Sequence, residues 1–189
     1  MKRILALVLM TILLVTHVAV CAEDVVILES PDLPVSSNNG TIDDLKVGIG
    51  VDLGDRIYTP MKIEIADRYN TNASYNHNNS GVENQYVLLW LEALNLSTKE
   101  MNFFHDAQVV LVYEGERGTY KFGGFVRQSY GDEPYWAAFK QDEMKTIGPL
   151  LKRNYLFGCK VPNFVEENPG EIRMEITTGT DTMTCFIRK

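Results

Sequence analysis

Gln85–Ser97 reads QYVLLWLEALNLS, the most apolar stretch of the chain after its N-terminus. Successive side chains of a strand point to opposite faces. Val87, Leu89, Leu91 and Ala93 therefore share one face, and Tyr86, Leu88, Trp90 and Glu92 the other. A strand that is apolar on one side and largely aromatic on the second belongs in the middle of a sheet, with a neighbour on each edge.

The flanking segments read as strands added around it. Before it, Tyr58–Asp67 directs Met61, Ile63 and Ile65 inward, and Lys46–Leu53 alternates Val47, Ile49, Val51 and Leu53 against Lys46, Gly48, Gly50 and Asp52. Between them and the central strand lies a run with Asn at 70, 72, 76, 78, 79 and 84. Asn favours turns and left-handed backbone, so Asn70–Asn84 is expected to be the most mobile internal segment. After the central strand, Ala107–Tyr113 and Thr119–Phe125 flank the five-residue hairpin loop EGERG at 114–118. Leu151–Val161 places Tyr155, Phe157, Cys159 and Val161 on one face. Glu171–Thr177 turns Ile172, Met174 and Ile176 inward, and Thr182–Arg188 does the same with Met183, Cys185 and Ile187. Eight or nine short strands with turn signals between most of them, and no sustained helical period, predict an all-β fold, a two-sheet sandwich or a barrel.

The order of these segments resembles the secreted bacterial immunoglobulin-like domain family of unknown function, the group that includes a mycobacterial immunogenic secreted protein. QYVLLWLEALNLS corresponds to its apolar strand ending in an Asn-containing turn, and LVYEGERGTYKF (111–122) to its hairpin. IGPLLKRNYLFGCKVP (147–162) corresponds to a turn and a strand ending in Val-Pro, with Gly148-Pro149 in reverse of the usual order. The resemblance covers residues 46–188. It implies an immunoglobulin-like two-sheet sandwich and an extracytoplasmic location, and it brings no catalytic residue and no agreed ligand.

The N-terminus agrees with export. Lys2 and Arg3 precede the apolar run Ile4–Val15, and small residues lead to Ala22 before Glu23 and Asp24. That is the order of a bacterial-type signal peptide over 1–22. The run is short of the roughly 20 residues of a membrane span, so no transmembrane segment is expected in the mature chain. A lipid anchor at Cys21 is the lesser alternative, because Val20 sits where a lipobox carries a small residue. Residues 23–45, with Pro31, Pro34 and the polar SSNNGTIDD, read as a loosely attached lead-in, and 46–189 as the sandwich domain. Cleavage removes Lys2 and Arg3 and no acid, so 18 basic and 25 acidic residues become 16 and 25, a charge of −9. An acidic chain argues against nucleic acid as a partner. Cys159 and Cys185 are then an even pair in an oxidising compartment, both at inward parity, and a disulfide between them is expected. Asn39, Asn72, Asn78 and Asn95 head Asn-x-Ser/Thr triplets, which matter only in a host that glycosylates them.

Chemistry-bearing constellations are sparse. His77 lies in the Asn-rich segment and His105 beside Asp106, with no Gly-x-Ser-x-Gly elbow. Nucleophilic catalysis therefore has no assembled base and nucleophile. No catalytic residue and no cofactor are assigned. Met101 and His105 are soft-to-borderline ligands that could hold copper in a metal-delivery protein. Paired carboxylates for a carbohydrate-active enzyme cannot be singled out. The aromatic loop SYGDEPYW (129–136) gathers Tyr130, Asp132, Tyr135 and Trp136, rings beside carboxylates that suit a sugar or a protein partner. The leading expectation is a non-catalytic exported binding module of the cell envelope or medium, with a protein or glycan ligand. A copper-type metal protein comes second and a carbohydrate-active enzyme third.

Overall fold

The computed structural model describes residues 40–70, 77–130, 137–139 and 144–189. In chain order the strands are β1 (Thr41–Ile42), β2 (Val51–Asp52), β3 (Arg56–Ala66), β4 (Arg68–Asn70), β5 (His77–Asn79), β6 (Asn84–Asn95), β7 (Gln108–Gly115), β8 (Gly118–Tyr130), β9 (Ala137–Phe139), β10 (Lys152–Pro162), β11 (Gly170–Thr177) and β12 (Thr182–Arg188). One helical turn, Phe164–Glu167, joins β10 to β11. Among the described residues no helix is long and apolar enough to cross a membrane.

β6 is central, as its apolar pattern predicts, and runs antiparallel to β3 on one edge and β10 on the other. Val87, Leu89, Leu91 and Ala93 are fully buried. The hydrogen-bonded path continues as β1-β12-β11-β7-β8-β10-β6-β3-β2, with β9 beside the end of β8. The sheet is curled, and β8 belongs to both halves. Its Gly118–Gly123 half pairs with β7, and Gly124–Ser129 pairs with β10. Strands that pass between layers do so at bends, and here the crossing falls at Gly123-Gly124. A Cβ on Gly124 would stand 2.5 Å from Cys159 Sγ and 2.7 Å from the Gly158 carbonyl. One continuous core joins Leu89 and Phe157 of one half to Leu111, Ile172, Met174 and Met183 of the other. On the far side of β6, Tyr86, Leu88 and Trp90 pack with Leu156 and with Tyr69 of β4 in a second cluster.

Several expectations change in the structure. Cys159 and Cys185 are buried free thiols, not a disulfide. Their inward parity is as expected, but β11, β7 and β8 separate their strands along the path. Cys159 pairs in register with Val87 and Gly124, whereas Cys185 pairs with Met174 and its thiol donates to the Leu45 carbonyl at 3.5 Å. The alternation of Lys46–Leu53 does not make one strand. Gly48 takes φ +80° in a turn closed by Ile49 N–H donating to Lys46 O, so Val47 and Ile49 are exposed and only Val51–Asp52 pairs. In β3 a bulge between Pro60 and Lys62 changes the parity. Met61 points outward, 51% exposed, while Ile63 and Ile65 pack on the core.

The described parts of the segment expected to be a loose lead-in and of the Asn-rich run are paired, while residues 71–76 of that run lie outside the described residues. Thr41–Ile42 runs parallel to β12, and Leu45 is buried with its N–H donating to Thr184 O. Arg68–Asn70 and His77–Asn79 pair as a two-stranded ribbon. Residues 1–39, with the signal-peptide reading, Cys21 and Asn39, lie outside the described residues, as does Asn72. Asn95 is fully buried. Its amide donates to Lys99 O and Ile147 O, both at 2.8 Å, and accepts from Ser97. That side chain pins two loops together and cannot carry a glycan in the folded protein.

The Asn95 end of the sandwich holds a buried ionic cluster. Arg56 pairs in register with Asn95 and donates to Asp181 through Nε at 2.9 Å and through a second guanidinium nitrogen. Its remaining ion pair is to Asp55. Tyr58, fully buried, donates its hydroxyl to Asp181 at 2.9 Å. Burial, the Asp181 charge beside it and that hydrogen bond push the Tyr58 phenol far above its ordinary value, against a smaller opposing effect of Arg56.

Candidate functional site

The opposite end of β11 carries a different assembly. β7 and β8 close at Gly115 and Gly118, which pair in register, so the expected five-residue loop is a two-residue turn of Glu116 and Arg117. Two pairs back along the ladder, Tyr113 and Tyr120 face each other. Directly opposed aromatic pairs interact on one face of a sheet. Their rings lie 6.0 Å apart at an interplanar angle of 27°. Phe164 from the helical turn meets both edge-on, at 5.9 and 5.5 Å.

The surrounding backbone is built around the Tyr113 ring. A Cβ on Gly170 would lie 2.7 Å from Tyr113 Cε2, and one on Gly115 would strike the phenol end of the same ring. The Tyr113 hydroxyl donates to Pro169 O at 2.9 Å. The helical turn bearing Phe164 is held by Arg188 of the last strand. That guanidinium donates to the carbonyls of Val165, Glu166, Asn168 and Gly170 at 3.0, 3.1, 2.6 and 2.7 Å. Arg188 is thus a positioning residue for one wall of the assembly.

The result is a cleft of about 300 Å³ lined by Tyr113, Glu116, Arg117, Tyr120, Phe164, Asn168 and Pro169. Tyr113, 3% exposed, is its floor, and Tyr120, 38% exposed, presents its ring to solvent. Glu116 and Arg117 make no hydrogen bond or ion pair among the described residues. The cleft therefore offers an apolar platform with an uncommitted acceptor and an uncommitted planar donor at its rim. Among the described residues its lining holds no nucleophile and base pair, and no three His, Cys, Asp or Glu side chains converge as metal ligands.

Of the residues singled out in the sequence, those that are described lie elsewhere. Tyr130 ends β8 opposite Ala137. Asp132, Tyr135 and Trp136 are outside the described residues. Met101 packs against the core and forms a backbone bridge with Ile147, while His105 lies exposed on the following turn. The cleft escaped the sequence reading because its rings come from two hairpin strands and a turn some 44 residues further along the chain. The available signal was the Tyr113/Tyr120 spacing about the EGERG turn, which places the two rings opposite each other once the register is set at Gly115 and Gly118.

No protein-family model matches the chain, and no curated protein sequence matches it. Among solved structures the chain is similar to an uncharacterized β-sandwich protein from Clostridium difficile 630, with a TM-score of 0.62 and 16% identity over 82% of this chain and 99% of that one. It is also similar to a conserved hypothetical protein from Bacillus anthracis, with a TM-score of 0.46 and 13% identity over 74% of this chain and 94% of that one. The first likeness shows the fold, a β-sandwich.

Proposed function

We propose that the protein is a non-catalytic, exported binding module of the cell envelope or medium, and that its contact surface is the cleft at Tyr120. The observation that supports this reading is an exposed ring on a platform beside Arg117 and Glu116, neither of which is engaged among the described residues. Rings give contact area at low entropic cost, and uncommitted charged groups retain their hydrogen-bonding capacity for a partner. Export rests on the N-terminal pattern of residues 1–22 and on the family resemblance. The immunoglobulin-like arrangement belongs to the same reading, with the two halves of the curled sheet as its two layers.

The test is binding of the purified mature chain to cell-envelope material of the producing cells. Tyr120→Ala and Arg117→Ala are expected to abolish binding while the urea midpoint stays near that of the parent. Binding retained by both variants and lost on Trp136→Ala would move the contact surface to the Tyr130–Trp136 loop. Binding by none of the proteins, parent included, would overturn the module reading itself.

A further inference from the structure

We infer that the cleft takes a neutral saccharide, one pyranose face stacked on Tyr120 and its hydroxyls met by Arg117, Glu116 and Asn168. This rests on the reading of the cleft as the contact surface and names the class of ligand. Tyr113, Tyr120 and Phe164 have centroids 5.5–6.0 Å apart, which is mutual contact. Rings that touch one another leave no space for a cation between them, so the assembly is a platform and not the aromatic cage that encloses a quaternary ammonium group.

A pyranose has an apolar C–H face and a perimeter of hydroxyls that both donate and accept. The cleft has the matching form. Its ring surface is bounded by Glu116 and Arg117 on the hairpin side and by Asn168 on the side of the helical turn. Glu116 accepts, Arg117 donates through a rigid fork, and an amide does both. Asn168 gives one Nδ2 hydrogen to Phe164 O at 2.8 Å, which leaves its second N–H as donor and its Oδ1 as acceptor. The Tyr113 hydroxyl is already used on Pro169 O, so the rim and not the floor reads the sugar.

One cation and one anion at the rim sum to zero, which matches a neutral polyol better than a phosphate or a polycationic peptide. A volume of about 300 Å³ stands at the small end of ligand clefts. It gives one station for a ring, whereas a proline-rich peptide needs a groove with successive aromatic slots.

The experiment uses the mature chain on envelope material, with soluble neutral tetrasaccharides of glucose, N-acetylglucosamine, mannose and xylose as competitors. Binding should survive protease treatment of the material and be displaced by at least one tetrasaccharide. Calorimetry with that tetrasaccharide should show affinity reduced about tenfold or more by Tyr120→Ala and by Arg117→Ala, and largely kept by Tyr120→Phe, with all variants melting as the parent does. Binding that depends on Tyr120 but is protease-sensitive, and that no tetrasaccharide displaces at about 10 mM, would overturn the saccharide and leave the cleft as a protein-contact surface. Tetrasaccharide binding that is indifferent to both Tyr120→Ala and Arg117→Ala would overturn the site as well.

Discussion

The two ends of β11 use similar side chains to opposite effect. Beyond Thr177, Asp181 is 2% exposed and accepts from both Arg56 and Tyr58. Before Gly170, Tyr113 is likewise tied to a carbonyl, but Tyr120 faces solvent and Arg117 and Glu116 are uncommitted among the described residues. Burial accounts for the difference. A charge removed from water must be paired and hydrogen-bonded or it is strongly destabilising, so the groups of a buried Tyr–Arg–Asp cluster are spent on one another. At the surface the same groups lose nothing by waiting for a partner. An arginine, a tyrosine and a carboxylate close together are therefore a structural clamp at one end and a ligand rim at the other, and solvent access decides which.

Asp181→Ala is the strongest way to break this comparison. It leaves Arg56 and the Tyr58 hydroxyl without their buried acceptor. Because Arg56 keeps Asp55, the cost should fall at the lower end of the range for a broken buried pair, about 3 kcal/mol in urea unfolding. A loss under about 1 kcal/mol would show that water reaches Arg56 and that the two ends do not differ as described.

The core between the two ends should respond to alkali. Burial pushes the Cys159 thiol up to about 12, and burial with the Asp44 charge pushes Cys185 up to about 11. The unfolded chain loses these protons first, so it binds fewer protons than the native state above about pH 9. Stability is then whole below that pH and is lost progressively as pH rises toward 11 and 12. The slope approaches about 1.4 kcal/mol per pH unit for each thiol. Chemical denaturation followed from pH 7 to 11 checks this, and a flat profile would mean that the thiols are already solvated. Titration of the denatured, unreduced mature chain should give two thiols.

Gly124→Ala tests whether the two ends share one rigid frame. The added Cβ meets Cys159 Sγ and the Gly158 carbonyl where β8 crosses between the halves. Overpacking there should cost about 1–3 kcal/mol in urea unfolding. Gly123→Ala, whose Cβ meets nothing within 4 Å, should cost less.

The smallest stability effect belongs to the cleft. Tyr120→Ala and Arg117→Ala should each change the unfolding free energy by less than about 1 kcal/mol, since one ring is partly solvated and the guanidinium is exposed. A larger loss for Tyr120→Ala would make its ring a packing element and bring the two ends closer in kind.

By itself the sequence determined the all-β class, the central place of β6, and the inward faces of β10, β11 and β12. Tyr155, Phe157, Cys159, Val161, Ile172, Met174, Ile176, Met183 and Cys185 are all fully buried. Alternation is a local property, and a long regular strand lets it run without interruption. Where the backbone departs from regularity the parity was lost: at Gly48, which turns with positive φ, and at Met61, where a bulge inserts one residue. Only the tertiary structure decided which strands are neighbours. Parity says that Cys159 and Cys185 point inward, but pairing order sets what each thiol meets, and it separates them. The same holds for the cleft. Tyr113 and Tyr120 meet through hairpin register, but Phe164 reaches them from a helical turn whose carbonyls are held by Arg188 of β12. Contacts between residues far apart in the chain depend on where the sheet curls, and that is set at Gly123-Gly124, where the absence of side chains lets one strand serve both halves.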